Sequence, residues 1–273
     1  MKNILVATDF SSTATNAVNY AIELAKATSA SITLFHVYHI PVMVGDAPMV
    51  SVIPLSEIEK ECETILDKLK SKIIQQAPNI NVITKNIAGF SNDEIVEIAA
   101  NSNFDLVILG IKGHGKVDQL LGSTATSVAH HANTPVLIIP DEARYSDPKR
   151  IVFAFDYEEI ENEKQLNILT ELGKLFQSKI YMLNVLDQTS KGSLKRHLVG
   201  MQADDILEDV EHVKSFSKDQ DIEHGIDHYL EKHKADMLVM IRRKHSFFER
   251  IISSSHTKKM AFHTHIPLLV LHD

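Results

Sequence analysis

Two short stretches of this chain carry glycine beside lysine, histidine and hydroxyl side chains: Gly110-Ile111-Lys112-Gly113-His114-Gly115-Lys116 and, a few residues on, Gly122-Ser123-Thr124. Glycine has no Cβ, so its backbone N–H can approach a phosphate oxygen closely. If Gly122-Ser123-Thr124 opens a helix, the partial positive charge of that terminus adds to the attraction. The spacing is not that of a Walker loop, because no Gly-Lys-Ser/Thr closes a four-residue spacer, and it is not the dinucleotide fingerprint, which follows a first strand. On glycines alone, plain turns are the competing reading. Lys116 has two readings as well, a phosphate contact or a solvated loop lysine.

Asp9 ends the apolar run Ile4-Leu5-Val6-Ala7-Thr8. An ionised carboxylate only accepts hydrogen bonds, which suits a ribose or a base edge, and it equally suits the start of a helix, with Ser11 or Ser12 helping. His114 and Lys116 lie in the glycine loop where a base near a phosphate would sit, but no paired carboxylates for a metal accompany them. Slow hydrolysis of a bound nucleotide is compatible with that set, and dedicated catalysis is not indicated. Fifteen histidines raise the question of a metal site, at His36-x-x-His39, His130-His131, His263-x-His265 and His272. Adjacent helix residues point about 100° apart, so His130 and His131 do not share one ion, and the reading is no metal centre. Cys62 is the single cysteine, which leaves no internal disulfide and no cysteine-based zinc cluster; it reads as a small apolar helix residue.

These residues need elements to position them. Short apolar runs predict strands at Asn3–Ala7, Ser31–Val37, Asn81–Ile87, Asp105–Leu109 and Pro135–Ile139, with helices beginning near Ser12, Leu55, Ser91 and Ser123. Ala17, Ala21, Leu24 and Ala25 fall on one helix face, as do Ile58, Cys62, Ile65, Leu69 and Ile73. Ser91 with Glu94 has the spacing of a capping box. Strands apolar throughout are those of a parallel sheet covered on both faces, and their alternation with helices gives a doubly wound α/β unit. In such a sheet ligands sit beyond the carboxyl ends of the strands, where Asp9, Val37 and the glycine loop all fall.

The unit occurs twice. Lys2-Asn3-Ile4-Leu5-Val6-Ala7-Thr8-Asp9 returns as Lys149-Arg150-Ile151-Val152-Phe153-Ala154-Phe155-Asp156, and Asp105-Leu106-Val107-Ile108-Leu109 as Asp236-Met237-Leu238-Val239-Met240. Thr134-Pro135-Val136-Leu137-Ile138-Ile139 returns as Ile266-Pro267-Leu268-Leu269-Val270-Leu271. The expectation is two domains, 1–143 and 149–273, joined by the charged stretch Asp141 to Lys149. Second-half helices are expected near Glu161–Gln177, Ser193–Leu207, Asp221–Lys232 and Thr257–His263. Tyr38 to Pro54 is a long apolar connection that fits a lid, a partner contact or an insert.

At 273 residues, 44% apolar and 23% charged, the chain has material for two buried cores. A net charge of −8 argues against a general nucleic-acid partner. Ile4 to Ala7 is too short for a signal peptide's apolar region and no run reaches the length of a membrane span, so the expected location is the cytoplasm, with no membrane partner.

Taken together, the strand ending in Asp9, the Gly110-x-x-Gly113 loop followed by Gly122-Ser123, and the run from Thr134 to Ile139 resemble the universal stress protein superfamily, in a tandem two-domain form covering essentially the whole chain. The resemblance implies two doubly wound parallel five-stranded sheets, nucleotide-binding and Rossmann-like, paired as a tandem pseudo-dimer. It implies a first-half ATP site in which Ala7, Thr8, Asp9 and Val37 meet adenine and ribose. Gly110, Gly113, Gly122, Ser123 and Thr124 would hold the phosphates, Leu109 and Gly115 belong to the same nucleotide-binding set, and Mg2+ is a possible companion ion. His114 to Leu121 is one residue shorter than the family's usual spacer, which bears on where Ser123 falls. In the second half the glycine positions become Ile241, Lys244 and Ser253, and Arg242, Arg243, Lys244 and His245 make the loop basic, so this half reads as a degenerate copy that packs against the first. The last strands, which often pair subunits in this family, are expected to pair within the chain, and further homodimerisation is open. The leading function is a nucleotide-dependent stress-response or signalling module; a non-nucleotide scaffold or a metabolite or metal sensor comes second and a slow ATPase third.

Overall fold

The computed structural model describes residues 1–39, 54–101, 103–112, 123–155, 160, 163–186, 201–219, 221–242 and 265–272. The first half runs β1 (Asn3–Ala7), α1 (Ser12–Thr28), β2 (Ser31–Tyr38), α2 (Leu55–Gln76), β3 (Val82–Ala88), α3 (Ser91–Asn101), β4 (Leu106–Ile111), α4 (Ser123–His131) and β5 (Val136–Pro140). The second runs β6 (Arg150–Ala154), a 3-10 turn (Glu163–Leu166), α5 (Asn167–Phe176), β7 (Lys179–Leu186), α6 (201–206), β8 (His212–Lys218), α7 (Ile222–His233), β9 (Met237–Arg242) and β10 (Leu268–His272). The expected helix Thr257–His263 and the loop from Ile40 to Ile53 lie outside the described residues.

The two parallel five-stranded arrays join into one sheet of order β3-β2-β1-β4-β5-β10-β9-β6-β7-β8. The join is antiparallel, with Leu268 opposite Ile138, Leu269 opposite Leu137 and Val270 opposite Val136. By their registers with β4 and β9, Leu137 and Leu269 are equivalent positions of the repeat, so each faces its own counterpart and the pseudo-two-fold axis passes between them. The join removes two exposed edges that would otherwise present unpaired backbone groups. Both leucines are 1% exposed or less, and burial of such a side chain stabilises by roughly 1.5–3 kcal/mol.

One apolar cluster fills each face of the sheet, and each runs through both halves. Ala17, Ala21, Leu24 and Ala25 of α1 and Cys62's neighbours Leu66 and Ile73 of α2 cover one face, while Ile95 of α3 and Val128 of α4 cover the other. Cys62 itself is buried, and burial, with Glu61 nearby, pushes its thiol up, away from the reactive thiolate. The edge strand β3 buries Val82 and then alternates between half-buried and exposed positions, the pattern of a strand with one covered face.

Local chemistry sets several boundaries. Ser11 caps α1 by accepting from the Ala14 N–H, and Ser29 closes it in the left-handed conformation. Helix α3 starts at Ser91, but the Phe90 carbonyl accepts from the Asp93 and Glu94 N–H groups, so Phe90 holds the cap and the Ser91–Glu94 capping box is one residue out of register. The repeated aspartates just before β4 and β9 have a structural role: Asp105 Oδ2 accepts from the Asn3 N–H at 2.9 Å, and Asp236 Oδ2 from the Arg150 N–H at 2.8 Å. Each ties the start of its fourth strand to the start of the first. The linker lies against α1, where the Asn16 amide donates to the Pro140 and Ala143 carbonyls and Tyr145 meets Tyr20 edge-on at 4.9 Å.

Candidate functional site

The order β2-β1-β4 places the change in winding direction between β1 and β4, and the loops leaving those strands part there. A cavity of about 610 Å³ opens at that point. Its lining comes from Ala7 at the end of β1 with Thr8 and Asp9 after it, Val37 near the end of β2, Leu109 and Gly110 of β4 with Lys112 just beyond it, and Thr124 and Ala125 in the first turn of α4. Thus Ala7, Thr8, Asp9, Val37, Leu109, Gly110 and Thr124, drawn from three strands and a helix, meet in one crevice. Ser123 opens α4 beside them. Gly113, Gly115 and Gly122, with His114 and Lys116, lie outside the described residues.

Each element brings its residues there for a local reason. Thr8 continues β1, its N–H donating to the Phe35 carbonyl at 2.9 Å. The chain then turns sharply through Phe10, whose φ of 63° is unusual for a bulky residue, and the Phe10 N–H donates to Thr8 Oγ1 at 3.1 Å. Asp9 Oδ1 accepts from the Ser11 N–H at 3.0 Å, an Asx turn that feeds the Ser11 cap. Gly110 serves close packing: a Cβ there would stand 2.6 Å from the Thr13 carbonyl oxygen, so only glycine lets α1 lie this near β4. Thr124 and Ala125 put the first turn of α4 beside the crevice, and a helix N-terminus there favours an anion.

The cavity has further members. His36 and His39, Ser91 and Ile95 also line it. The signal for His36 was a polar residue inside the otherwise apolar run Leu34-Phe35-His36-Val37. His39 Nδ1 lies 3.0 Å from the Gly89 carbonyl oxygen, which ties the end of β2 to the end of β3.

The second half differs at the equivalent place. Ile241 takes the position of Gly110 and is buried in the same apolar cluster as Ile160 and Leu166, and among the described residues the first helical turn of this half is the 3-10 turn from Glu163. Arg242 ends β9, while Asp156, Arg243, Lys244, His245 and Ser253 lie outside the described residues. Sequence reading also passed over His224 and His228, one turn apart on α7 with ring centroids 6.4 Å apart. Asp219 Oδ2 sits 2.7 Å from His224 Nδ1 and raises that imidazole's affinity for a proton. No group of three or more such side chains is placed to hold a metal ion among the described residues, and none of the described helices is long and apolar enough to cross a membrane.

The comparisons with known proteins agree with this arrangement. The universal stress protein family model matches twice, at residues 1–140 and 148–272. Universal stress protein A homolog 1 of Coxiella burnetii is 30% identical over 141 residues, 50% of this chain and 95% of that protein. A universal stress protein of Methanocaldococcus jannaschii is 31% identical over 140 residues, 50% of this chain and 81% of that one. The crystal structure of a universal stress protein from Archaeoglobus fulgidus superposes with a TM-score of 0.75 at 20% identity, covering 98% of this chain and 97% of that one, which shows the shared fold along both halves. With both halves matched by the family model, the chain belongs to the universal stress protein family.

Proposed function

We propose that the protein is a cytoplasmic stress-response module that binds ATP in the first half, with the second half as a packing partner that has given up its own phosphate loop; the working halves are 1–143 and 149–273. The observation that carries the reading is the convergence of Asp9, Val37, Gly110 and the first turn of α4 on one crevice of about 610 Å³. That volume suits a nucleotide, since small-molecule sites run from about 300 to 1,000 Å³. Asp9 supplies an acceptor at the end where a ribose or base would lie. The N–H groups of α4 would supply donors where phosphates would lie, with Ser123 and Thr124 at the helix start and Gly110 in β4; Gly113, Gly115 and Gly122, which fall between them in sequence, would complete the set. Mg2+ would ride on the phosphates, because Asp9 is the single carboxylate among the cavity's described lining residues.

In the second half, Ile241 puts a buried side chain where the first half has Gly110, which supports one nucleotide per chain. The test is titration calorimetry of ATP with magnesium against the wild type and Gly122→Val, with circular dichroism to show that both are folded. Saturable binding of one ATP per wild-type chain, lost in the variant, is the expected result. A folded wild type that binds no ATP overturns the reading.

A further inference from the structure

His36 and Asn184 are unlike residues in equivalent places. Asn3 pairs with Ser31 where β1 meets β2, and Arg150 pairs with Lys179 where β6 meets β7; counted from those pairs, Thr8 corresponds to Phe155 and His36 to Asn184. In the first half the Thr8 N–H donates to the Phe35 carbonyl at 2.9 Å, and the Thr8 carbonyl oxygen stands 2.7 Å from His36 Nδ1. In the second half the Phe155 N–H donates to the Leu183 carbonyl at 2.8 Å, and the Phe155 carbonyl accepts from the Asn184 side-chain amide at 2.8 Å. A carbonyl oxygen can only accept, so His36 carries its hydrogen on Nδ1. The Nδ1 of histidine and the Nδ2 of asparagine are both bonded to Cγ, which gives the two side chains a donor at the same reach. The bond survives in a half whose glycine loop is gone, and so it belongs to how the strand ends are built.

We infer that His36 is the positioning residue of the turn Thr8–Ser11 and thereby of Asp9 at the mouth of the cavity; that Asp9 then meets ATP rests on the function proposed above. The turn needs a brace. Beyond Thr8 the chain leaves the sheet, and Phe10, at a φ of 63°, is held in a left-handed conformation that is unfavourable for a residue with a Cβ. His36 holds it twice: Nδ1–H fixes the Thr8 carbonyl from the neighbouring strand, and its ring lies 4.3 Å from the Phe10 ring, centroid to centroid. Thr8 is 6% exposed, so without His36 its carbonyl has little access to water as a replacement partner. The turn is then free to relax, and Asp9 moves with it.

The second half supplies the conservative variant. His36→Asn keeps the donor at the same reach, whereas His36→Leu keeps the bulk and loses the donor. In the full-length wild type, long-range 1H–15N NMR is expected to show the Nδ1-protonated tautomer of His36. His36→Leu is expected to exchange its Phe10 and Ser11 amides at least about tenfold faster and to bind ATP at least about tenfold more weakly, with an unchanged circular dichroism spectrum; His36→Asn stays within about threefold of wild type in both. An Nε2-protonated His36 overturns the inference. So does wild-type exchange in His36→Leu, or a His36→Asn as impaired as His36→Leu. If the wild type binds no ATP, the nucleotide reading falls by itself, and the tautomer and the amide exchange still decide the role of His36.

Discussion

The imidazole Nε2 of His272, at the end of the last strand, lies 3.0 Å from the carbonyl oxygen of Ala129, in the helix whose first turn faces the cavity of the other half. His272 is 2% exposed and its Nδ1 has no hydrogen-bond partner among the described residues. Burial pushes this imidazole down to about 4, against the opposing effect of its bond to Ala129, while Arg242 and His130 add nearby positive charge.

Stability is therefore expected to fall with acid. The unfolded chain takes up a proton at position 272 near the ordinary histidine value of about 6.5, and the folded chain does not until about 4. Between those values the unfolded state binds more protons, so stability present above about 6.5 is lost progressively as the pH falls toward 4, by about 3 kcal/mol in all. Urea unfolding at pH 7.5, 5.5 and 4.5 measures the slope. His272→Leu should start lower at pH 7.5, having lost the Ala129 bond, and fall less steeply; equal slopes would remove His272 as the cause.

Gly110→Ala is expected to destabilise the protein by about 2 kcal/mol. The added Cβ would stand 2.6 Å from the Thr13 carbonyl oxygen and 2.9 Å from its carbon, both backbone atoms that yield only if α1 moves. Because Thr13 and Ala14 also line the cavity, nucleotide affinity should drop alongside the melting temperature. Thermal melts with and without ATP would expose a variant as stable and as responsive as wild type, the outcome that contradicts this packing argument.

Glu223, in the first turn of α7, should become less costly as the pH falls. Burial, with Asp221 and Asp227 adding negative charge, pushes its carboxyl up to about 7, and its Oε1 is buried without a hydrogen-bond partner among the described residues. A raised folded value means that the protonated form is favoured in the fold, and that this contribution is lost as the pH rises through about 7. Glu223→Gln imitates the protonated carboxyl, so its urea midpoint should exceed that of wild type at pH 8 and approach it at pH 5. A variant less stable at pH 8 would point instead to an unrecognised partner for the carboxylate.

The halves should unfold together. Both apolar clusters cross the β5–β10 junction, so neither half has a core of its own to fall back on. Leu269→Ala, at 0% exposure beside the two-fold axis, is expected to cost about 3 kcal/mol and to leave one cooperative transition. Scanning calorimetry that resolved two transitions in the wild type would show that the halves are energetically separate.

Much of the architecture was written in periodicity and repetition. Asn3–Ala7 is a strand over the expected residues, and helices begin at Ser12, Leu55, Ser91 and Ser123, because short apolar runs and amphipathic stretches record which faces a chain must bury. The repeats of Lys2–Asp9 and Asp105–Leu109 carried the doubling of the unit. The strand β8, His212–Lys218, was far less legible: it is an edge strand in which Val213 and Phe216 remain exposed, so no buried apolar run marks it. What residue types and order determined by themselves was the family, the doubling and the candidates Asp9, Val37 and Gly110. The tertiary structure alone decided that Leu137 faces Leu269 across an antiparallel join, that the Ser91–Glu94 pair misses its capping register, and that His36 and Asn184 make one and the same bond. Those facts depend on strand register and on pairings between residues far apart in sequence, and a local pattern of side chains fixes which faces are buried without fixing what each buried atom meets.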